Sequence, residues 1–297
     1  MYHIIYNPLA NRGKKGSAAK ALEQLIACLK AANLAYVIHS STAPGHVAKI
    51  VQSLPTKESP CHIIIVGGDG TIFEAINGLE PGNSAILGII PAGTGNDISK
   101  MIGIPKNATT AAQIIFQNRT VCADVALINS NLKSALFVSY GIAADIVLGM
   151  ALLKRKTRLS YFTTLLRCVF GYKPKKITVK LNEQETTYAA DFLSVHNCIC
   201  AGGGMHLAHN AKIDDGRLDL VIVEYQGFFR RMANIISILT KKLHKQPNFK
   251  TIPIENIEIF SPNENRCVVD GEIREYDYLK IQVIPNFVKF YVNEVIE

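Results

Sequence analysis

The sequence contains no long hydrophobic run, no tryptophan and no CxxC motif. Its apolar stretches are interrupted well before the roughly 18 residues that a membrane-spanning helix requires. The first residues, Met1 to Asn7, form a strand-like run that lacks the basic segment and apolar core of a secretion signal. We therefore expect a cytoplasmic protein whose contact with any membrane is peripheral.

The cysteine and histidine patterns do not indicate a metal or disulfide framework. The seven cysteines are an odd number without paired spacing, which favours buried thiols in a reducing compartment. The histidines at 196, 206 and 209 match no zinc-binding pattern, so we expect them to be at the surface or hydrogen-bonded.

The net charge of +8 favours an anionic partner, because a basic surface attracts nucleic acids, phosphorylated ligands and acidic membranes alike. No motif of the usual nucleic-acid-binding folds is present, so we expect no nucleic-acid partner. Two stretches without acidic residues mix basic with apolar residues, a composition typical of an amphipathic helix on an anionic bilayer. An ordinary solvated helix face is the open alternative. Their basic residues are Lys154, Arg155, Lys156, Arg158, Arg167, Lys173, Lys175 and Lys176 in the first stretch, and Arg230, Arg231, Lys241, Lys242 and Lys245 in the second.

The first 120 or so residues alternate short apolar strands with helical patterns, which predicts βαβ units and a parallel sheet. The predicted strands are His3–Tyr6, Ala35–His39, His62–Val66 and Ala85–Ile90, and the predicted helices are Ser17–Ala32, Gly45–Ser53, Thr71–Gly78 and Ala108–Asn118.

Beyond Ala123 strand-like segments dominate, which predicts an antiparallel sandwich interrupted by helical stretches at Ala144–Phe170 and Phe228–His244. The last two predicted strands are Leu279–Ile284 and Val288–Val292. With 297 residues, the chain is long enough for an α/β domain, residues 1–123, and a mainly β domain, residues 124–287.

The most specific motif is Gly67-Gly68-Asp69-Gly70-Thr71, which lies between a predicted strand and a predicted helix. Glycines let backbone N–H groups approach phosphate oxygens, and the helix N-terminus adds a favourable dipole. A carboxylate at Asp69 would repel a bare phosphate, so its presence suggests an intervening divalent cation. The alternative is a tight turn in which Asp69 or Thr71 caps the helix.

A second glycine loop, Pro91-Ala92-Gly93-Thr94-Gly95-Asn96-Asp97, follows the next predicted strand. Loops at the carboxyl ends of neighbouring parallel strands line one crevice. We expect Thr94 to donate to phosphate and Asp97 to join Asp69 near a cation.

The order of these motifs resembles that of the diacylglycerol kinase catalytic domain, and more closely the compact bacterial lipid kinases related to sphingosine kinases. The remaining blocks that carry this resemblance are Asn7-Pro8, Gly202-Gly203-Gly204-Met205, Ala211–Asp219 and Val269-Asp270-Gly271-Glu272. The resemblance implies an NAD kinase-like α/β domain to which residues 288–297 return, and a β-sandwich that binds a lipid substrate. It also implies transfer of the γ-phosphate of Mg-ATP to a lipid hydroxyl, with diacylglycerol as the expected acceptor and phosphatidic acid as the product. Members of this family often form homodimers, which leaves a homodimer open.

The resemblance also implies roles for individual residues. The expected catalytic residues are Asp69, Asp97, Asp270 and Glu272. The expected ATP contacts are Asn7, Ser41, Gly68, Asp69, Gly70, Thr71, Ile72, Phe73, Glu74 and Thr94. A structural Mg²⁺ would be held by the Asp215 carboxylate and the backbone carbonyls of Lys212 and Arg217.

Two of these assignments leave alternatives open. The sequence does not decide whether Asp270 or Glu272 is the general base, although we favour Glu272, and the Asp270-Gly271 pair is also typical of an exposed hairpin turn. The Asp214-Asp215-Gly216 segment could equally be an Asx turn. At the level of function, an NAD kinase shares the first glycine loop, and a family member without activity is a further alternative.

Overall fold

The computed structural model describes residues 1–8, 10, 16–57, 60–153, 158–201, 204–262 and 265–293, without the side chains at 151, 158–162 and 165. The strands are β1 Tyr2–Tyr6, β2 Tyr36–Ser40, β3 Cys61–Gly67, β4 Ala85–Pro91, β5 Thr120–Ile128, β6 Leu132–Ser134, β7 Phe137–Gly141, β8 Lys175–Leu181, β9 Gln184–His196, β10 Cys200–Ala201, β11 Met205–His206, β12 Leu218–Glu224, β13 Phe249–Ile254, β14 Asn256–Phe260, β15 Arg266–Val269, β16 Glu272–Glu275 and β17 Tyr278–Tyr291. The helices are α1 Ser17–Ala31, α2 His46–Ser53, α3 Asp69–Gly78, α4 Asp97–Met101, α5 Ala108–Phe116, α6 Ile142–Ala151, α7 Arg158–Gly171 and α8 Phe228–Leu239, with a 3₁₀ turn at Leu243–Lys245.

The amino-terminal half contains parallel strands in the order β2–β1–β3–β4. Residues 63–66 of β3 are fully buried, as is typical of a parallel strand with both faces covered. Helices α1, α3 and α5 pack against β3 and β4. Because β3 and β4 pair with Gly67 opposite Pro91, both glycine loops leave the sheet at the same edge.

The carboxyl-terminal half is antiparallel. Its longest inner strand, β9, pairs with β7, β8 and β12, and the apolar residues of these strands form a second core cluster. The expected fold class, an α/β domain with parallel strands followed by an antiparallel β-sandwich, is confirmed.

Strand β17 connects the two halves. Its first part pairs with β14, its end pairs in parallel with β4 through Lys289 and Phe290, and β5 runs antiparallel beside it along most of its length. The prediction of two separate strands here is wrong, because a register shift between Ile284 and Val288 absorbs the irregularity without ending the ladder. Asn286 has a positive φ of 52°, as expected of a residue in such a bulge.

The predicted bounds of the two long helical stretches in the second half were also wrong. The stretch predicted at Ala144–Phe170 forms two helices, α6 and α7, with residues 154–157 outside the described part of the chain. Helix α8 ends at Leu239 rather than His244, because Lys241 adopts a left-handed φ of 59° and Lys242 donates back to the Ser237 carbonyl. Among the described helices, none is long and apolar enough to cross a bilayer.

Candidate active site

The two glycine loops touch each other. The backbone N–H of Ala92 donates to the Gly67 carbonyl at 2.7 Å. A Cβ atom added at Gly93 would lie only 2.5 Å from the Gly68 Cα, so the two backbones approach more closely than any other residue type allows. The strand ends thus form one continuous surface.

Asn96 fixes the shape of the second loop. Its side-chain carbonyl accepts from the Gly93 N–H at 2.9 Å, and its amide donates to the Gly93 carbonyl at 3.0 Å. Asn96 itself is buried and has a left-handed φ of 51°, which asparagine tolerates well. This turn delivers Asp97 to the first position of α4.

The carboxylates of Asp69 and Asp97 flank the same small space beside Gly95. A Cβ atom added at Gly95 would lie 2.9 Å from Asp69 Oδ2 and 3.8 Å from Asp97 Oδ2. The other oxygen of Asp69 accepts from the Ile98 N–H at 3.1 Å, and Asp97 Oδ1 accepts from Lys100 Nζ at 2.9 Å. Burial raises the pKa of Asp69, backbone N–H groups at the start of α4 oppose the shift, and the charge of Asp97 adds to it.

This arrangement suits a magnesium ion. Mg²⁺ in nucleotide sites is commonly held by one or two carboxylates and completed by phosphate oxygens and water. Asp69 and Asp97 supply two such oxygens at a point where only glycine leaves room. The described residues contain no group of three His, Cys, Asp or Glu side chains able to hold a metal, so these carboxylates would need ligands from a bound phosphate or water.

The expected ATP contacts fall into two groups. Gly70 and Thr94 are exposed at the loop surface, and a Cβ at Gly70 would meet no atom within 4 Å. Asn7 and Thr71 instead bind each other, with Asn7 Nδ2 donating to Thr71 Oγ1 at 3.1 Å. Thr71 is buried, so this bond ties the end of β1 to the first turn of α3.

Other expected contacts serve the packing of this region. Ser41 is buried, and its N–H donates to the Tyr6 carbonyl at 2.9 Å. Glu74 Oε2 accepts from the Val47 N–H at 3.2 Å, which satisfies a donor in the first turn of α2. The side chains of Ile72 and Phe73 are buried, so only their backbone could reach a nucleotide. Phe73 packs into the core of the second half.

Asp270 is fully enclosed. It lies in the turn between β15 and β16, with a left-handed φ of 48°. Its carboxylate accepts four hydrogen bonds, from Ser134 Oγ at 2.6 Å and from the backbone N–H groups of Ala135, Leu136 and Phe137 at 2.8, 3.1 and 2.9 Å. Burial raises the pKa of Asp270, while these donors act in the opposite direction. Here the carboxylate fixes the segment that joins β6 to β7.

Glu272 lies two residues later at the start of β16 and is only partly buried. Its Oε2 accepts from Arg274 Nη2 at 2.7 Å, and both side chains are about two-fifths exposed. Of the two carboxylates in this turn, Glu272 is the one with access to a ligand.

The loop expected to bind a structural Mg²⁺ contains an Asx turn, and its metal-binding role stays a prediction. Asp215 Oδ1 accepts from the Arg217 N–H at 3.1 Å, the local bond that defines such a turn. A residue that the sequence analysis missed, Asp124, binds the same loop by accepting from the Gly216 N–H at 2.7 Å. Burial raises the pKa of Asp124, and the charges of Asp215 and Asp214 raise it further. A single acidic residue inside the apolar strand β5 was the available signal.

The second half of the chain reaches the glycine loops through the segment around β10. Burial raises the pKa of the Cys198 thiol, and the charges of Asp270 and Asp97 raise it further. A Cβ at Gly204 would lie 3.6 Å from Lys100 Nζ. The segment around β10 therefore contacts α4 on one side and, through Cys198, contacts Leu136, whose N–H binds Asp270. Gly202 and Gly203 lie outside the described residues.

A cavity of about 590 Å³ lies between α6 and α7. Most of its lining is apolar, with Asp145 and Arg167 among the polar contributors. Asp145 pairs with Arg266 of β15 at 3.2 Å. Because β15 leads directly into the Asp270 turn, the cavity belongs to the same part of the molecule as that turn.

Two family profiles together cover most of this chain. The diacylglycerol kinase catalytic domain matches residues 1–128, and the YegS C-terminal NAD kinase beta sandwich-like domain matches residues 137–292. The chain belongs to the diacylglycerol kinase-like lipid kinase family. The resemblance drawn from the two glycine loops and the later motifs is thereby confirmed.

Individual relatives are similar at modest identity. A "Diacylglycerol kinase" from Staphylococcus haemolyticus is 26% identical over 288 residues, which cover 91% of this chain and 81% of that protein. A "Probable lipid kinase YegS-like" protein from Yersinia enterocolitica is 29% identical over 240 residues, covering 76% of this chain and 77% of that one. A crystal structure of a diacylglycerol kinase from Bacillus anthracis superposes with a TM-score of 0.75 at 23% identity over 100% of this chain and 98% of that one, which shows a common fold.

Proposed function

We propose that this chain transfers the γ-phosphate of Mg-ATP to the hydroxyl of a lipid, with diacylglycerol as the expected acceptor and phosphatidic acid as the product. The observation that carries the proposal is the pair of carboxylates, Asp69 and Asp97, that flank Gly95 where the two glycine loops meet. Phosphoryl transfer depends mainly on alignment and on neutralising phosphate charge, and this position provides for both.

In this proposal the glycine loops bind the triphosphate. Gly70 and Thr94 lie exposed beside the carboxylates, and the N-terminus of α3 directs its positive dipole toward the same edge. Asp69 and Asp97 would hold Mg²⁺, which neutralises charge on the transferred group. The hydrogen bonds of Asn96 and the Gly68–Gly93 contact hold the two loops against each other.

The general base in this proposal is Glu272. A lipid hydroxyl is a weak nucleophile and needs a carboxylate that can accept its proton. The Asp270 carboxylate already accepts four hydrogen bonds in a buried site, whereas the Glu272 carboxylate is about two-fifths exposed and accepts from Arg274 Nη2. Asp270 is then a positioning residue that orients the turn bearing Glu272.

The cavity between α6 and α7 supports a lipid acceptor over a soluble one. A diacylglycerol presents its hydroxyl on a small polar head attached to long acyl chains, so its binding requires apolar space near the base. Leu148, Leu152 and Leu153 line a cavity of about 590 Å³ that is linked to β15 by the Asp145–Arg266 pair. An NAD acceptor would not require such a lining.

The test is a transfer assay with γ-labelled ATP and separate acceptors: diacylglycerol, ceramide, sphingosine, phosphatidylglycerol and NAD. We expect labelled phosphatidic acid that depends on Mg²⁺ and is lost in Asp69→Asn. Label found only on NAD would overturn the lipid assignment, and absence of label on every acceptor would support a member without activity.

A further inference from the structure

Helix α8 is inverted relative to an ordinary surface helix. An amphipathic helix of a globular protein normally turns its apolar stripe to the core. In α8 the residues facing the core are Arg231, Asn234 and Ser237, all buried. The opposite side carries Phe229, Ile236 and Leu239, which are 86%, 61% and 73% exposed.

The buried side of α8 is held by specific polar contacts. Arg231 donates from Nε and Nη2 to Asp191 Oδ1 at 3.0 and 2.7 Å, and from Nη1 to the carbonyls of Val169 and Tyr172 at 3.1 and 3.0 Å. Its guanidinium also lies 4.9 Å from the Tyr225 ring centroid. A buried cation with this many partners fixes the rotation of the helix, so the outward direction of the apolar side is built into the fold.

The apolar surface continues onto α7. The rings of Phe170 and Phe228 lie 5.3 Å apart, and Phe228 contacts Phe229 edge to face at 5.7 Å. Arg231 binds the carbonyls at the end of α7, which holds the two helices in this arrangement. We call the exposed apolar residues of both helices the α7–α8 face; they are Leu166, Phe170, Phe228, Phe229, Ile236 and Leu239.

The surroundings of the α7–α8 face are cationic. The chain has no acidic residue between Asp145 and Glu183, which brackets α7, and none between Glu224 and Glu255, which brackets α8. The exposed basic residues of these two segments, among those with described side chains, are Arg167, Lys173, Lys176, Lys241, Lys242, Lys245 and Lys250. Exposed apolar residues in segments rich in cations match an anionic bilayer, in which apolar side chains enter the acyl boundary and cations meet lipid phosphates.

We infer that the α7–α8 face docks the protein on an anionic bilayer. Charge favours this occupant over a second copy of the chain, because a symmetric contact would bring together two copies of segments that are rich in cations and lack acidic residues. The docking surface rests on the proposed function, since a lipid acceptor makes a bilayer the relevant partner. Docking would also bring the cavity beside α7, lined by Arg167 and Gly171, close to the lipid. The basic residues Lys154, Arg155 and Lys156, which were expected to dock, lie outside the described residues.

The test compares a triple variant, Phe229→Ser with Ile236→Ser and Leu239→Ser, with a control that removes exposed apolar residues elsewhere, Val37→Ser with Ile38→Ser. Co-sedimentation uses vesicles of phosphatidylglycerol and phosphatidylcholine, and vesicles of phosphatidylcholine alone. We expect the wild type and the control to bind the anionic vesicles, less so at about 0.5 M salt. The triple variant should bind at least about tenfold more weakly. Far-UV circular dichroism and thermal unfolding check that it is folded.

Two further measurements separate the outcomes. On a short-chain diacylglycerol dissolved as monomers, the folded triple variant should keep wild-type activity, while its activity on vesicles falls. If neither the wild type nor the triple variant phosphorylates any acceptor, the proposed function fails. If the variant has nevertheless lost the vesicle binding of the wild type, the docking surface still stands. Unchanged vesicle binding by the folded variant overturns the docking surface. So does sedimentation velocity that shows a wild-type dimer and a monomeric variant, since the face would then join two copies.

Discussion

Asn77 of α3 and Lys133 of β6 are joined by two hydrogen bonds, from Asn77 Nδ2 to the Lys133 carbonyl at 2.9 Å and from the Lys133 N–H to Asn77 Oδ1 at 2.8 Å. Asp69 begins the same helix, and Ser134, the next residue after Lys133, donates to Asp270. A short chain of contacts therefore connects the first glycine loop with the turn that bears the candidate base.

Replacing Asn77 should weaken this connection. Asn77→Ala leaves the N–H and carbonyl of Lys133 without their partner, so we expect the free energy of unfolding to fall by about 1 to 3 kcal/mol. We also expect kcat for lipid phosphorylation to fall while KM for ATP changes little, because the triphosphate loops are untouched. Asn77→Asp retains the acceptor for the Lys133 N–H, so its stability and kcat should lie between those of the wild type and of Asn77→Ala. A stability loss with unchanged kcat would show that the connection does not position the base.

Two glycine substitutions distinguish packing from ligand contact. Gly93→Ala places a Cβ 2.5 Å from the Gly68 Cα and 2.7 Å from Asn96 Oδ1, so we expect a loss of about 2 kcal/mol or more in stability. Gly70→Ala meets no atom within 4 Å and should leave the unfolding midpoint unchanged. If phosphate lies over this loop, Gly70→Ala should nevertheless weaken ATP binding, measured by calorimetry. Normal ATP affinity in Gly70→Ala would place the triphosphate elsewhere.

Asp270 and Glu272 should give opposite phenotypes. Asp270→Asn replaces one carboxylate oxygen, which accepts hydrogen bonds, with an amide nitrogen that can only donate, so it faces N–H groups that have lost their acceptor. We therefore expect a loss of about 3 kcal/mol in stability together with reduced activity. Glu272→Gln alters only a partly exposed group and should leave stability near that of the wild type while kcat falls by about a hundredfold or more. Chemical denaturation and steady-state kinetics on both variants provide the comparison. An Asp270→Asn protein that is stable but inactive would instead identify Asp270 as the base.

The burial of His196 predicts that the free energy of unfolding depends on pH in the acid range. It is fully buried between the rings of Phe137 and Phe192, and burial lowers its pKa to about 3. In the unfolded chain a histidine titrates near pH 6.5. The unfolded state therefore binds the proton first as the pH falls.

The free energy of unfolding should consequently decrease as the pH falls from about 6.5 toward about 3, with a slope that reaches about 1.4 kcal/mol per pH unit once the pH is well below 6.5. Above about pH 7 the His196 side chain is neutral in both the folded and the unfolded state, so it does not make the free energy of unfolding depend on pH. His196→Gln does not titrate, so the slope of the free energy of unfolding between about pH 5 and 6.5 should become shallower by about 1 kcal/mol per pH unit. Equal slopes for the two proteins in urea denaturation would rule out this account.

The local parts of the site could be predicted from the sequence. Both glycine loops lie where the alternation of strands and helices indicated, because each loop and its flanking strand are contiguous in the chain. The turn at Asp270-Gly271-Glu272 was likewise visible as a motif. The periodicity could not show that the Asp270 carboxylate is enclosed, because three of its four donors are backbone groups more than 130 residues away in sequence.

By itself, the sequence determined the family, the order of strand and helix, and the edge of the sheet where glycine and carboxylate residues gather, because these depend on short contiguous patterns. The tertiary structure alone decided which side of α8 faces outward. Its apolar periodicity predicts an amphipathic helix but would ordinarily place Phe229 and Leu239 in the core. The direction is set by Arg231, whose partners Asp191, Val169 and Tyr172 come from other elements 40 to 62 residues away. Hydrogen bonds to a buried guanidinium require that it point inward, and the apolar side must then face out.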